Sequence, residues 1–166
     1  MPYIVIILVF LADRLAKRWA AAFLIENGPT QVHPWLTITE TYNRGIAFGL
    51  FQGIGPLVGW LTIAVVVGMF IYMMRTPRQL WLIRLGMALI VGGAMGNLVD
   101  RVIAGEVLDF IQTPLRWGIF NVADIGVNVG MIVMVIGSFI HKEPEPVTSD
   151  QLSVISEETE EQVTEY

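Results

Sequence analysis

Twenty consecutive residues without a charge, Gly55 to Met74 (GPLVGWLTIAVVVGMFIYMM), constrain this chain more than any other stretch. As an α-helix the run is about 30 Å long, the thickness of a bilayer's hydrocarbon core, and it is predicted to span a membrane. A soluble fold would have to cover it on every side. The remainder offers little cover, because 54% of the 166 residues are hydrophobic, 15% are charged, and the mean hydropathy is +0.62.

Two further runs fit the same reading: Leu85 to Val99, extended at both ends, and Val122 to Ile140, which carries Asp124 and Asn128 in its first turns. The N-terminal segment is less regular. Pro2 to Ala12 is apolar, but Asp13, Arg14, Lys17 and Arg18 follow before Trp19 to Ile25 resumes the apolar run. A cleaved secretory signal carries its positive charge ahead of the apolar stretch, so a retained span with functional polar residues is the better reading. Arg75, Arg78 and Arg84 lie between the second and third spans with no acid among them, which makes that loop cytoplasmic by the positive-inside rule. Both termini then lie inside. Arg14, Lys17 and Arg18 fall toward the outer end of the first span, against that rule, and are expected to have partners within the protein.

The predicted architecture is therefore an all-α membrane protein of four transmembrane helices with a small extracytoplasmic β-containing segment. Trp35 to Thr39 alternates as a half-buried strand does. Gly45 to Phe51 (GIAFGLF) suits a segment resting on the membrane surface or lining a groove. Residues 1–142 form the membrane domain. Residues 143–166 hold eight of the fifteen acids and none of the ten Lys and Arg residues, so they read as an acidic, disordered cytoplasmic tail. The net charge of −5 thus conceals a membrane domain with seven acids and ten bases. No basic stripe with interleaved aromatics points to nucleic acid. The chain lacks cysteine, which removes disulfides, thiolate metal sites and cysteine nucleophiles.

Ionised groups within a bilayer cost roughly 2.5–3.5 kcal/mol on insertion scales, so the polar residues of the spans are the informative ones. Taken singly, each has a structural reading: Asp13 and Lys17 stand four apart on one helical face, and Asp100 has Arg101 beside it. Taken together, Asn43, Asn97, Asp100, Arg101, Asp109, Asn121 and Asp124 all fall at the outer predicted face. Asp109 lies in the connection between the third and fourth spans, and a short return would bring it toward Asp124. Two adjacent carboxylates cannot both ionise cheaply, so such a pair supplies an acid and a base without a metal. His33 and His141 lie on opposite sides, which disfavours a serine–histidine or histidine-rich metal site, while a carboxylate-only metal site stays open. Gly92-x-x-x-Gly96 and Gly126-x-x-x-Gly130 are read as close helix contacts. Gly96 is the one place where substrate backbone is an alternative.

Five blocks in order resemble the lipoprotein signal peptidase (signal peptidase II) family over residues 3 to 140. They are Asp13-Arg14-Leu15-Ala16-Lys17, Asn43-Arg44-Gly45-Ile46-Ala47-Phe48, Gly92 through Asn97 to Arg101, Val107-Leu108-Asp109-Phe110, and Phe120-Asn121-Val122-Ala123-Asp124. The resemblance implies that Asp109 and Asp124 are a catalytic dyad. Asp13, Lys17, Asn43, Asn97, Asp100, Arg101 and Asn121 match positions that support the site or bind substrate. The first block departs from the family's Asp-Gln-x-Thr-Lys at Arg14 and Ala16. By resemblance the protein is an intramembrane aspartyl endopeptidase of the bacterial inner membrane, working near the outer face as a monomer without metal or cofactor. Its substrate is then a diacylglyceryl-modified prolipoprotein, cut on the amino side of the lipidated Cys, with membrane lipid as the other partner. A small transporter or proton-coupled channel is the competing class, but the polar residues collect at one end instead of crossing the membrane. A structural assembly subunit would explain the glycines and not the aspartates.

Overall fold

The computed structural model describes residues 2–44, 55–115 and 118–141, with backbone alone for 55–58. The surface segment expected at Gly45 to Phe51 and the acidic tail lie outside these residues.

Helix α1 (Pro2–Asn27) runs unbroken through Asp13, Arg14, Lys17 and Arg18. Its buried positions, Ile6, Asp13, Lys17, Ala20 and Leu24, follow a helical stripe that includes the charges, while Leu8, Leu11, Leu15 and Trp19 are exposed. The helix therefore turns its polar face inward and its apolar face outward. That inversion explains why hydropathy alone reads this segment poorly. Helix α2 (Gly55–Arg75) is joined by a short loop to α3 (Trp81–Ala104), and α4 (Val122–Ile140) completes four helices. By length and composition α3 and α4 are apolar enough to cross a membrane, with mean hydropathies of 1.7 and 1.9.

Helix α3 is the centre of the bundle, packing against all three of the others. Its glycines set how closely they approach. A Cβ on Gly86 would lie 2.6 Å from the Gly130 carbonyl oxygen of α4, and one on Gly130 would lie 2.6 Å from that of Gly86. Gly92 and Gly126 face Val9 of α1 in the same way, each with a Cβ contact of 2.9 Å. The packing reading of both glycine pairs holds. At Gly96 the space in front of the backbone is filled by the Asp13 carboxylate, so the alternative of a substrate approach there is corrected.

A four-stranded antiparallel sheet caps one end of the bundle: β1 (Thr30–His33), β2 (Leu36–Asn43), β3 (Val107–Gln112) and β4 (Ile119–Phe120), in that order. Three of the four strands adjoin a helix end, since β1 follows α1, β3 follows α3 and β4 precedes α4. The strand expected at Trp35 to Thr39 is the first half of β2. Val107 to Phe110, read from sequence as plain connection, is instead β3, paired with β2 so that Thr41 opposes Asp109 and Asn43 opposes Val107. Helix α3 stops at Gly105, whose left-handed backbone (φ 76°) lets its N–H reach the Arg101 carbonyl at 3.1 Å.

Candidate active site

Asn121 is the N-cap of α4, and Asp124 stands three residues on. An Asn followed by an acid at this spacing forms a capping box. The Asp124 N–H donates to Asn121 Oδ1 at 2.9 Å, and the Asn121 N–H approaches Asp124 Oδ2 at 3.4 Å. Helix initiation thereby fixes Asp124 in the first turn of α4. The same Asn121 side chain donates through Nδ2 to Asp109 Oδ1 at 2.6 Å. One buried amide thus ties the Asp109 carboxylate on β3 to the backbone turn of α4 that carries Asp124.

Two more amides complete this frame. Asn97 of α3 donates to Asp124 Oδ1 at 2.9 Å, and its own oxygen accepts from Asn121 Nδ2 at 3.1 Å. Asn43 of β2, diagonal to Asp109 across the sheet, donates to Asp109 Oδ2 at 3.3 Å. Asp109 is only 4% exposed. Burial, reinforced by the nearby negative charge of Asp124, pushes its carboxyl from 3.8 up to about 6, against the opposing pull of Asn43, Asn121 and Lys17.

Beneath the amides lies an ionic cluster. Lys17 sits 2.9 Å from Asp13, 2.6 Å from Asp100, and donates to Asn97 Oδ1 at 2.9 Å. Asp13 also accepts from the Ala123 N–H at 2.9 Å, so it satisfies one of the free donors at the start of α4. The i, i+4 pairing of Asp13 with Lys17 is as expected. The expected pairing of Asp100 with Arg101 is not what Asp100 makes: it meets Arg14 and Lys17 of α1. Adjacent residues on a helix point about 100° apart, so Asp100 faces α1 and Arg101 turns elsewhere, within electrostatic reach of Asp124, Asp109 and Asp100.

All nine residues singled out from the sequence therefore converge at one end of the bundle. Arg14, a departure from the motif that topology led us to expect a partner for within the protein, meets Asp100 and so joins this cluster. Asn128, noted for its spacing, donates to the Asp124 carbonyl at 2.7 Å and supports the same turn. Among the described residues no group of three or more His, Asp or Glu side chains is placed to hold a metal ion. Chemically, the arrangement offers two carboxylates in different surroundings within one amide network, with Asp109 buried and its carboxyl raised.

Comparison with known proteins gives a consistent answer. The family model for signal peptidase (SPase) II matches residues 5–140. The lipoprotein signal peptidase of Thermodesulfovibrio yellowstonii is 37% identical over 133 residues, covering 78% of this chain and 88% of that protein. The lipoprotein signal peptidase of Shewanella sp. (strain MR-4) is 34% identical over 152 residues, covering 86% of this chain and 88% of that one. Two solved structures of bacterial membrane enzymes superpose with TM-scores of 0.72 and 0.73 at 26% and 28% identity, covering 89% and 86% of this chain and 94% of each of theirs. A match over nearly all of the described chain, in sequence and in fold, means that the chain belongs to the signal peptidase II family and is a membrane peptidase.

Proposed function

We propose that this protein is an intramembrane aspartyl endopeptidase that removes the signal peptide from diacylglyceryl-modified prolipoproteins, cutting on the amino side of the lipidated Cys. The observation that carries the reading is the Asn121 side chain, which donates to Asp109 while accepting from the Asp124 backbone. It ties the Asp109 carboxylate to the first turn of α4, whose Asp124 carboxylate is held by Asn97, the partner of the same Asn121 amide, and this supports reading the two acids as a pair.

Asp109, buried and raised to about 6, is the partner that keeps the proton. Asp124 takes a proton from a water molecule as that water's oxygen adds to the scissile carbonyl. The carbonyl oxygen, becoming negative, is met by the Asp109 proton. As the C–N bond breaks, the leaving nitrogen takes a proton from the pair, which returns to one proton and one charge. Asn43, Asn97 and Asn121 hold the carboxylates in place, and Arg101 adds positive charge beside them. Asp13, Lys17 and Asp100 support that frame.

All four helices cross the inner membrane in this reading. The exposed apolar residues of α1 (Leu8, Leu11, Leu15) and α4 (Ile132, Val135, Ile136) support lipid contact along the bundle. Arg75, Arg78 and Arg84 lie at the end opposite the sheet, which favours cytoplasmic termini and an active site near the outer face. Residues 1–142 are the peptidase domain, a monomer, and 143–166 an acidic tail on the cytoplasmic side. The test is reconstitution of the purified protein with diacylglyceryl prolipoprotein. Cleavage is expected for wild type, unaffected by chelator, and lost in folded Asp109→Asn and Asp124→Asn. Normal cleavage by either variant would sink the dyad.

A further inference from the structure

The end of the bundle opposite the sheet carries a cavity that the peptidase chemistry does not use. It has a volume of 640 Å³ and lies between the start of α1 and the start of α3, lined by Tyr3, Val5, Trp81 and Leu85 with Arg78 and Arg84 among them. Arg78 is exposed, and Arg84 is half-buried with one nitrogen on the Thr76 carbonyl at 3.2 Å. A second cavity of 360 Å³ lies between α1, α2 and α3, walled by apolar side chains including Ile7, Val67, Phe70 and Met95. Tyr3 lines both. No carboxylate borders either one among the described residues.

We propose that these two neighbouring cavities, which share Tyr3 as a wall, hold one anionic phospholipid of the adjacent leaflet, its phosphate between Arg78 and Arg84 and an acyl chain in the apolar groove beyond Tyr3. Two guanidinium forks match phosphate oxygens in charge and geometry. Trp81 stands where an aromatic ring marks the membrane interface. Basic pockets between membrane helices on the cytoplasmic side are headgroup sites for this reason. From Trp81 to Met95 the helix rises by about 21 Å, more than the roughly 15 Å of one leaflet's acyl region, so the span has room for an acyl chain. Arginines that served topology alone would need no cavity, and the positively charged start of a signal peptide would be repelled here. Assignment to the cytoplasmic leaflet rests on the topology proposed above.

Purified full-length protein exchanged into vesicles of equal phosphatidylglycerol and phosphatidylcholine, then extracted in detergent, tests this by its retained lipid. Wild type is expected to favour phosphatidylglycerol by roughly tenfold or more, the scale set by two arginines near a phosphate. Arg78→Gln with Arg84→Gln should abolish the preference, and Arg78→Gln alone, at an exposed position, should weaken it without disturbing the fold. Val67→Trp, which fills the groove, should lower retention while both arginines remain. Equal retention of the two lipids by wild type overturns the proposal, and is the result expected where acidic residues 143–166 cover the arginines instead. Equally tight binding of free glycerol phosphate overturns the lipid assignment. Retention requires neither cleavage nor a known orientation, so its failure leaves the prolipoprotein assay standing.

Discussion

Two pairs of carboxylates meet at the sheet end of this bundle, and they are held in opposite ways. Asp13 and Asp100 each touch a cation, sharing Lys17 between them and adding Arg14 at Asp100. Asp109 and Asp124 are instead joined by the amides of Asn43, Asn97 and Asn121. A buried acid against an ammonium is neutralised in place and does structural service. A buried acid facing another through an amide keeps a proton that can move. Charge partner, and not burial, distinguishes the two pairs, since Asp13 is buried as completely as Asp109, and the proposed division into support and chemistry rests on that difference.

The largest test of that contrast is catalytic. Asp109→Asn or Asp124→Asn in the folded protein should cut kcat on diacylglyceryl prolipoprotein by about three orders of magnitude or more, a loss of acid–base chemistry. Asp13→Asn should leave much more activity. Stability should respond in the reverse order. Lys17→Met leaves the buried Asp13 without its cation, while Asp100 keeps Arg14, and is expected to cost about 3–5 kcal/mol in detergent unfolding, whereas Asp109→Asn should cost little. A double Lys17→Met, Asp13→Leu variant should recover part of the loss, and strict additivity would break the assignment of Lys17 to support.

The pH dependence sharpens the comparison. The Asp109 carboxyl of the folded protein, near 6, lies above its ordinary value of 3.8, so the folded state binds more protons between those values. Its contribution favours folding fully below about pH 4, and about 2–3 kcal/mol of it is lost as pH rises through 6. Asp109→Asn should therefore gain stability relative to wild type at about pH 7 and not at about pH 4, read as the difference in unfolding midpoint. The smallest expected effect is at Gly96. An added methyl there meets the Asp13 carboxylate, so Gly96→Ala should cost about 1–3 kcal/mol while the amides around Asp109 and Asp124 stay in place. Activity per folded molecule should fall only modestly.

Much of this was legible in the chain itself. The charge-free run from Gly55 to Met74, the glycine spacings and the five motif blocks identified a helical membrane peptidase and its nine polar residues. Three features were not legible. Val107 to Phe110 does not alternate as a strand, because Asp109 sits inward among apolar neighbours, and only pairing with β2 reveals it. Asp100 reads as a partner of Arg101 because they are adjacent, yet helix geometry sends it to Arg14. Gly96 reads as a helix contact with substrate backbone as the alternative, but the group that fills its space is a carboxylate from another helix.

What the sequence by itself determined is the membrane class, the family and a set of polar residues that the fold brings to one end, because hydropathy and motif order are properties of the linear chain. Only the tertiary structure decided how those residues divide. Whether a buried aspartate meets an ammonium or an amide depends on contacts between residues as far apart as Asp13 and Ala123, or Asn43 and Asp109. Such contacts exist only once four helices and a sheet have packed, since interactions of this kind act over a few ångströms and the chain brings their partners together only in the fold.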